Sequence, residues 1–180
     1  MIKKIFLLVI VFTVSGKIYS QNSLKEVSDI SLSPIMTFEK QCSRCHGYEG
    51  KDYGEDFAEL TDEKLKNFVE DMMFGPAFLN PTNVELKAMS AYNKAIQNKK
   101  PFAVAVNAKS FLGGKEKELK INATSGAELS IDNNKEIKIK KTEEVWTLSY
   151  DFEKVNKLRI IISKNGVSSS MIFPDALWSK

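Results

Sequence analysis

The feature that most constrains this chain is one pentapeptide, Cys42-Ser43-Arg44-Cys45-His46, which contains both cysteines and the only histidine among 180 residues. On a helix, two cysteines at positions i and i+3 lie on the same side, and here the histidine follows directly. A single histidine excludes any metal site that needs two, including the H-E-x-x-H pattern of metalloproteases. Two cysteines are also too few for a disulfide-rich scaffold.

This C-x-x-C-H spacing predicts the covalent attachment of one haem c. The thiols of Cys42 and Cys45 would each form a thioether with one vinyl group of the same haem, and His46 would be the proximal iron ligand. Three other interpretations stay open. A redox-active dithiol usually lies in a βαβ unit, whereas the flanks here are helical and loop-like. A structural zinc ion would need a further ligand outside the motif. The third alternative is an inert local disulfide.

The N-terminal residues predict export. A basic start with Lys3 and Lys4 precedes an apolar run over 5–14, and small residues follow up to Ser20, which is the order of a secretory signal peptide. The run is about half of the ~20 residues that a membrane-spanning helix needs. We therefore predict a Sec-type signal peptide over 1–20, a periplasmic or otherwise exported protein, and no membrane span after cleavage. An uncleaved N-terminal anchor stays open as the alternative.

The charge of the chain does not indicate a nucleic-acid partner. The formal net charge is +3, and the predicted signal peptide alone contributes Lys3, Lys4 and Lys17 without any acidic residue. The exported remainder is therefore close to neutral. Because a nucleic-acid interface needs a concentrated basic face, we predict none.

Residues 34–100, after a predicted linker over 21–33, have the pattern of three short helices. Ser33-Pro34 is typical of an N-cap followed by proline at the first helical position, and we expect this helix to end near Cys42. Thr61 can cap a second helix, which Gly75-Pro76 ends. Thr82 and Glu85 form the capping-box pattern of a third. Apolar residues recur at helical spacing after each of the last two caps: Leu65, Phe68, Val69, Met72, Met73, then Leu86, Met89, Tyr92 and Ile96.

Residues 101–180 have the pattern of short strands separated by turn-forming glycine, asparagine and aspartate. We predict strands over 119–123, 127–131, 136–140, 145–150, 158–163 and 168–173, after a loosely alternating segment over 102–111. The fold prediction is therefore two domains, an all-α domain over 34–100 followed by an all-β sandwich of immunoglobulin-like type over 101–180.

With these pieces in place, residues 34–100 resemble a class I cytochrome c domain. The resemblance rests on the helix that ends in the motif, the Pro-containing loop over 75–81 and the final helix over 84–96. Phe38 and Tyr92 stand where that family packs its first and last helices together. The glycines after the motif also fit the family's loop: Gly47, Gly50 and Gly54. The resemblance covers a little over a third of the chain. It implies one-electron transfer to or from an exported redox protein or enzyme, without bond-making catalysis.

The sixth iron ligand is where this sequence departs from the family. A methionine in the loop before the last helix usually binds the second face of the iron, but Gly75-Pro76 stands where the family has Met-Pro. Met73 is the first candidate, with Met72 and Met89 as alternatives, although methionines at helical spacing also fit a core. An iron with an open sixth position stays open too, and it would indicate a haem-based ligand sensor or binding protein.

Overall fold

The computed structural model describes residues 27–132, 137–152 and 154–180. The predicted signal peptide over 1–20 and residues 21–26 of the predicted linker lie outside the described residues. Within the described ranges, no helix combines the length and the apolar character that crossing a membrane requires.

The C-x-x-C-H residues belong to a continuous helical segment that is longer than predicted. It consists of α1 (Pro34–Thr37), a π-helical turn (Phe38–Cys42) and α2 (Ser43–His46). The π-type widening is marked by the Ser43 N–H, which donates to the carbonyl of Phe38. Such single π turns are frequent at functional sites. Because the helical segment continues past Cys42, it contains the whole motif.

Two longer helices follow, α3 (Asp62–Phe74) and α4 (Asn83–Gln97). Their predicted caps are confirmed: Thr61 accepts from the Lys64 N–H, and Thr82 with Glu85 forms a reciprocal capping box. The Glu85 carboxylate also accepts from the Leu32 N–H at 2.7 Å, which holds the chain before α1 against the start of α4. Two short 3₁₀ turns, Tyr48–Gly50 and Glu55–Glu59, lie between α2 and α3.

The strands form two antiparallel sheets. The first has the order β1-β2-β5-β4 and the second β3-β6-β7. The six predicted runs are confirmed as β2 to β7, each within two residues at the ends that the structure describes. Residue 136, the predicted start of the third run, lies outside the described residues. The strands are β1 (Ala103–Ala105), β2 (Glu118–Ala123), β3 (Glu128–Ile131), β4 (Lys138–Thr142), β5 (Val145–Ser149), β6 (Leu158–Lys164) and β7 (Val167–Phe173).

The predicted fold class, an all-α domain followed by an all-β immunoglobulin-like sandwich, is wrong. The described chain is mixed, 36% helical and 26% strand. The segment over 102–111 contains a helix, α5 (Ala108–Leu112), directly after β1. The Asn107 side chain donates to the Glu118 carbonyl and accepts from the Lys120 N–H, so it ends β1 by pairing with β2. The chain then turns into α5, which buries Ala108 and Phe111.

The apolar packing also crosses the predicted division. Phe102 and Val104 belong to the same buried cluster as Phe38 and Tyr92 of the helices. The ring centroids of Tyr92 and Phe102 are 5.4 Å apart. A second cluster lies between the two sheets and includes Leu119, Ile121, Leu148, Ile160, Ile162 and Phe173. The helices and the first strand therefore share one core.

We expect Phe102→Ala to lower the free energy of unfolding by about 3–5 kcal/mol, because the ring is fully buried against Tyr92. Urea unfolding followed by circular dichroism measures this change. Val167→Ala is the control, since Val167 is 41% exposed, and it should stay within about 0.5 kcal/mol. A loss below about 1 kcal/mol for Phe102→Ala would contradict a core shared by helices and strands.

Candidate haem site

The two predicted haem-attaching cysteines and His46 lie at the end of the first helical segment. Cys42 is half-buried, Cys45 is exposed, and both thiols are free. Gly47 ends the helix at φ +70°, and a Cβ there would overlap the side chains of Lys51 and Asp52. The Asp52 N–H donates to the His46 carbonyl at 2.9 Å. The turn after His46 therefore depends on glycine, and it folds the following loop back over the motif.

Cys42 and His46 line a small cavity together with Met72, Met73 and Met89. Cys45 is not among its lining residues. The other lining side chains are mainly apolar or aromatic: Phe38, Tyr53, Phe68, Val69 and Asn93. The structure thus brings one cysteine, the histidine and all three candidate methionines around one cavity.

Flat aromatic rings form a layer beside the imidazole. The rings of His46 and Tyr53 are stacked with centroids 4.5 Å apart, and those of Tyr53 and Phe57 lie 3.7 Å apart and nearly parallel. The ring of Phe68 meets both His46 and Tyr53 edge-on at 6.2 Å. The edge-on contacts of Phe68 have the geometry that aromatic pairs prefer. Flat apolar walls of this kind suit a planar conjugated ring system.

Tyr53 is fixed to α4 by hydrogen bonds that the sequence pattern does not predict. Its hydroxyl donates to Asn93 Oδ1 at 2.6 Å, and the Asn93 amide donates to the Met89 carbonyl at 3.0 Å. Gly50 lies below the Tyr53 ring, where a Cβ would come within 2.6 Å of it. One signal was available: Asn93 is a polar residue four positions after Met89, next to the apolar face of the predicted helix.

Burial dominates the electrostatics of the site. It lowers the pKa of His46, which favours the neutral imidazole that a metal ligand must be. Burial raises the pKa of the Cys42 thiol, and the nearby Glu39 carboxylate and Cys45 act in the same direction. Burial likewise raises the pKa of Tyr53, so its hydroxyl stays protonated and can donate to Asn93.

The candidate distal ligands come from two helices. Met73 near the end of α3 and Met89 in α4 are each 2% exposed, whereas Met72 is half-buried. All three line the cavity that also contains His46. The cavity does not single out one of them, so Met73 stays a prediction.

The chemistry of these residues fits a haem c. Two thiols, one imidazole and buried thioethers are the donor types such a group needs, and the apolar aromatic walls suit its ring. The cavity is much smaller than a haem, so side chains of its walls must move outward to admit a group of that size. In the described ranges, no group of three or more histidine, cysteine or acidic side chains could hold a metal ion.

No protein-family model, curated protein or solved structure matches the chain. The candidate site therefore rests on the motif and on the geometry around it.

We expect Tyr53→Phe to lower the free energy of unfolding by about 1–3 kcal/mol, because it leaves the buried Asn93 oxygen without its donor. Urea unfolding measures the change. Tyr48→Phe is the matched control, since Tyr48 is 49% exposed. If both variants lost the same amount, the bond to Asn93 would not be what fixes Tyr53.

Proposed function

We propose that this chain is an exported mono-haem c-type cytochrome that passes single electrons to or from an exported redox protein or enzyme. The observation that carries the proposal is the cavity that joins the only histidine, one motif cysteine and three methionines within apolar aromatic walls. The class I cytochrome c resemblance of residues 34–100 supports the same function.

The roles follow from the chemistry of each side chain. Cys42 and Cys45 would hold the haem by thioether bonds, and His46 would be the proximal ligand, with Met73 as the distal ligand. The bound haem supplies the one-electron couple. Met73 and the ring of Phe68 contribute apolar walls to the cavity. Tyr53, fixed by Asn93, covers the histidine side.

Electron transfer is favoured over bond-making catalysis by the lining of the cavity. Among the residues that line it, none is a carboxylate or a lysine. General acid–base catalysis most often uses histidine, and the only histidine, His46, would be held by the iron as its proximal ligand. Export through the predicted signal peptide belongs to the same proposal, because bacteria attach haem to C-x-x-C-H motifs outside the cytoplasm.

The test is an absorption spectrum of the matured protein, oxidised and reduced, with and without CO. We expect a low-spin spectrum with the far-red methionine–iron band and no response to CO. Met73→Ala should lose that band and bind CO. Met36→Ala is the control, because Met36 is 40% exposed and is not among the cavity-lining residues.

A different outcome assigns a different ligand or function. If Met72→Ala or Met89→Ala loses the band and Met73→Ala keeps it, the methionine whose replacement removes the band is the distal ligand instead of Met73. A high-spin wild-type spectrum that shifts with CO would contradict the electron carrier. It would favour the ligand sensor with an open sixth position.

A further inference from the structure

One ion pair joins the second sheet to the loop that follows the haem motif. Lys164, the last residue of β6, has its Nζ 2.6 and 2.7 Å from the two carboxylate oxygens of Glu49. The side chains are only 23% and 30% exposed. Since solvent screens partly buried pairs less than exposed ones, this contact is stronger than a surface ion pair.

Glu49 holds the loop in a conformation that a non-glycine residue rarely adopts. It stands three residues after His46, and its φ is +52°. Its own N–H donates to the Glu39 carboxylate at 3.2 Å. Such backbone strain persists only where surrounding contacts over-determine it. The contacts to Lys164 and Glu39 supply that constraint, directly before buried Gly50.

Glu39, which accepts from the Glu49 N–H, also lies close to Cys42 of the motif. Glu39 stands three residues before Cys42, and its carbonyl accepts from the Ser43 hydroxyl at 2.6 Å. Burial raises the pKa of Glu39, while the Glu49 N–H and the Lys164 charge act against that rise. The Glu39 charge in turn contributes to the raised pKa of the Cys42 thiol. Two carboxylates thus lie beside the motif, and the single charge of Lys164 offsets part of their negative charge.

We propose that Lys164 is a positioning residue of the haem site. From the second sheet it fixes the loop over 47–53, pairs with Glu49 and partly offsets the charge of Glu39, and so it contributes to the reduction potential of the haem. This inference rests on the proposed function. It gives the C-terminal strands a role within the cytochrome itself.

The sign of the effect distinguishes this role from a merely structural one. Ferric haem carries one more positive charge than ferrous haem, so nearby negative charge favours the ferric state and lowers the potential. Lys164→Met removes the one positive charge beside Glu39 and Glu49 and should lower the potential. Glu49→Gln leaves the ammonium and should raise it. Both changes break the same ion pair, so a purely structural effect would shift the potential in one direction.

The experiment is a potentiometric titration of the haem-loaded full chain at low ionic strength. Lys164→Arg should restore most of the wild-type potential, since it keeps the charge. Lys157→Met is the matched control. Lys157 pairs with Asp175 at the same 2.6 Å but is 61% exposed and lies in a different ion pair, away from Glu49. We expect no shift for this control. Shifts of the same sign in Lys164→Met and Glu49→Gln, or no shift in either, would overturn the proposal.

A second measurement separates this inference from the proposed function. In the full chain before haem attachment, amide hydrogen exchange at residues 50–53 should become about tenfold faster in Lys164→Met, because the loop loses its anchor. Exchange in β2 and β5 should not change. Unchanged exchange at 50–53 would overturn the positioning role. A chain that never acquires haem would contradict the proposed function, and the exchange result would still decide the role of Lys164.

Discussion

The packing of three aromatic rings is the contact on which the rest of the structure depends. Tyr92 of α4 meets Phe38 of the first helical segment edge-on at 5.6 Å, and on its other side it contacts Phe102 at 5.4 Å. All three rings are nearly or fully buried. Aromatic pairs in these geometries add to the free energy gained from burying their area. The rings hold the segment with the motif, the last long helix and the start of β1 in one arrangement.

The candidate site follows from that arrangement. With Phe38 fixed on α4, the end of the helical segment brings Cys42 and His46 to the cavity, opposite the methionines of α3 and α4. The loop after His46 then needs its own anchors, because its glycine turn alone leaves it free to move. Tyr53 binds it to α4 and Lys164 binds it to the second sheet. The sheets and the helices thus act on the same loop.

The sequence predicted what local patterns encode. Thr82 and Glu85 specify a helix start within four residues, and turn-forming residues mark the strands, so these elements could be located. The short helix α5 could not, because Asn107 directs the chain through hydrogen bonds to β2, which no local pattern contains. The site divides in the same way. The motif is local, whereas Tyr53 and Asn93 pair across 40 residues, and only the fold brings them together.

The central claim is that Cys42 and Cys45 carry a covalent haem, and mass spectrometry tests it most directly. The chain is produced in an exporting host with c-type maturation, and its intact mass and proteolytic peptides are measured. The account predicts one haem per chain, on the peptide that contains both cysteines, and none on the Cys42→Ser/Cys45→Ser variant. A full-length chain without haem, with the two cysteines as free thiols or as a disulfide, would contradict the account.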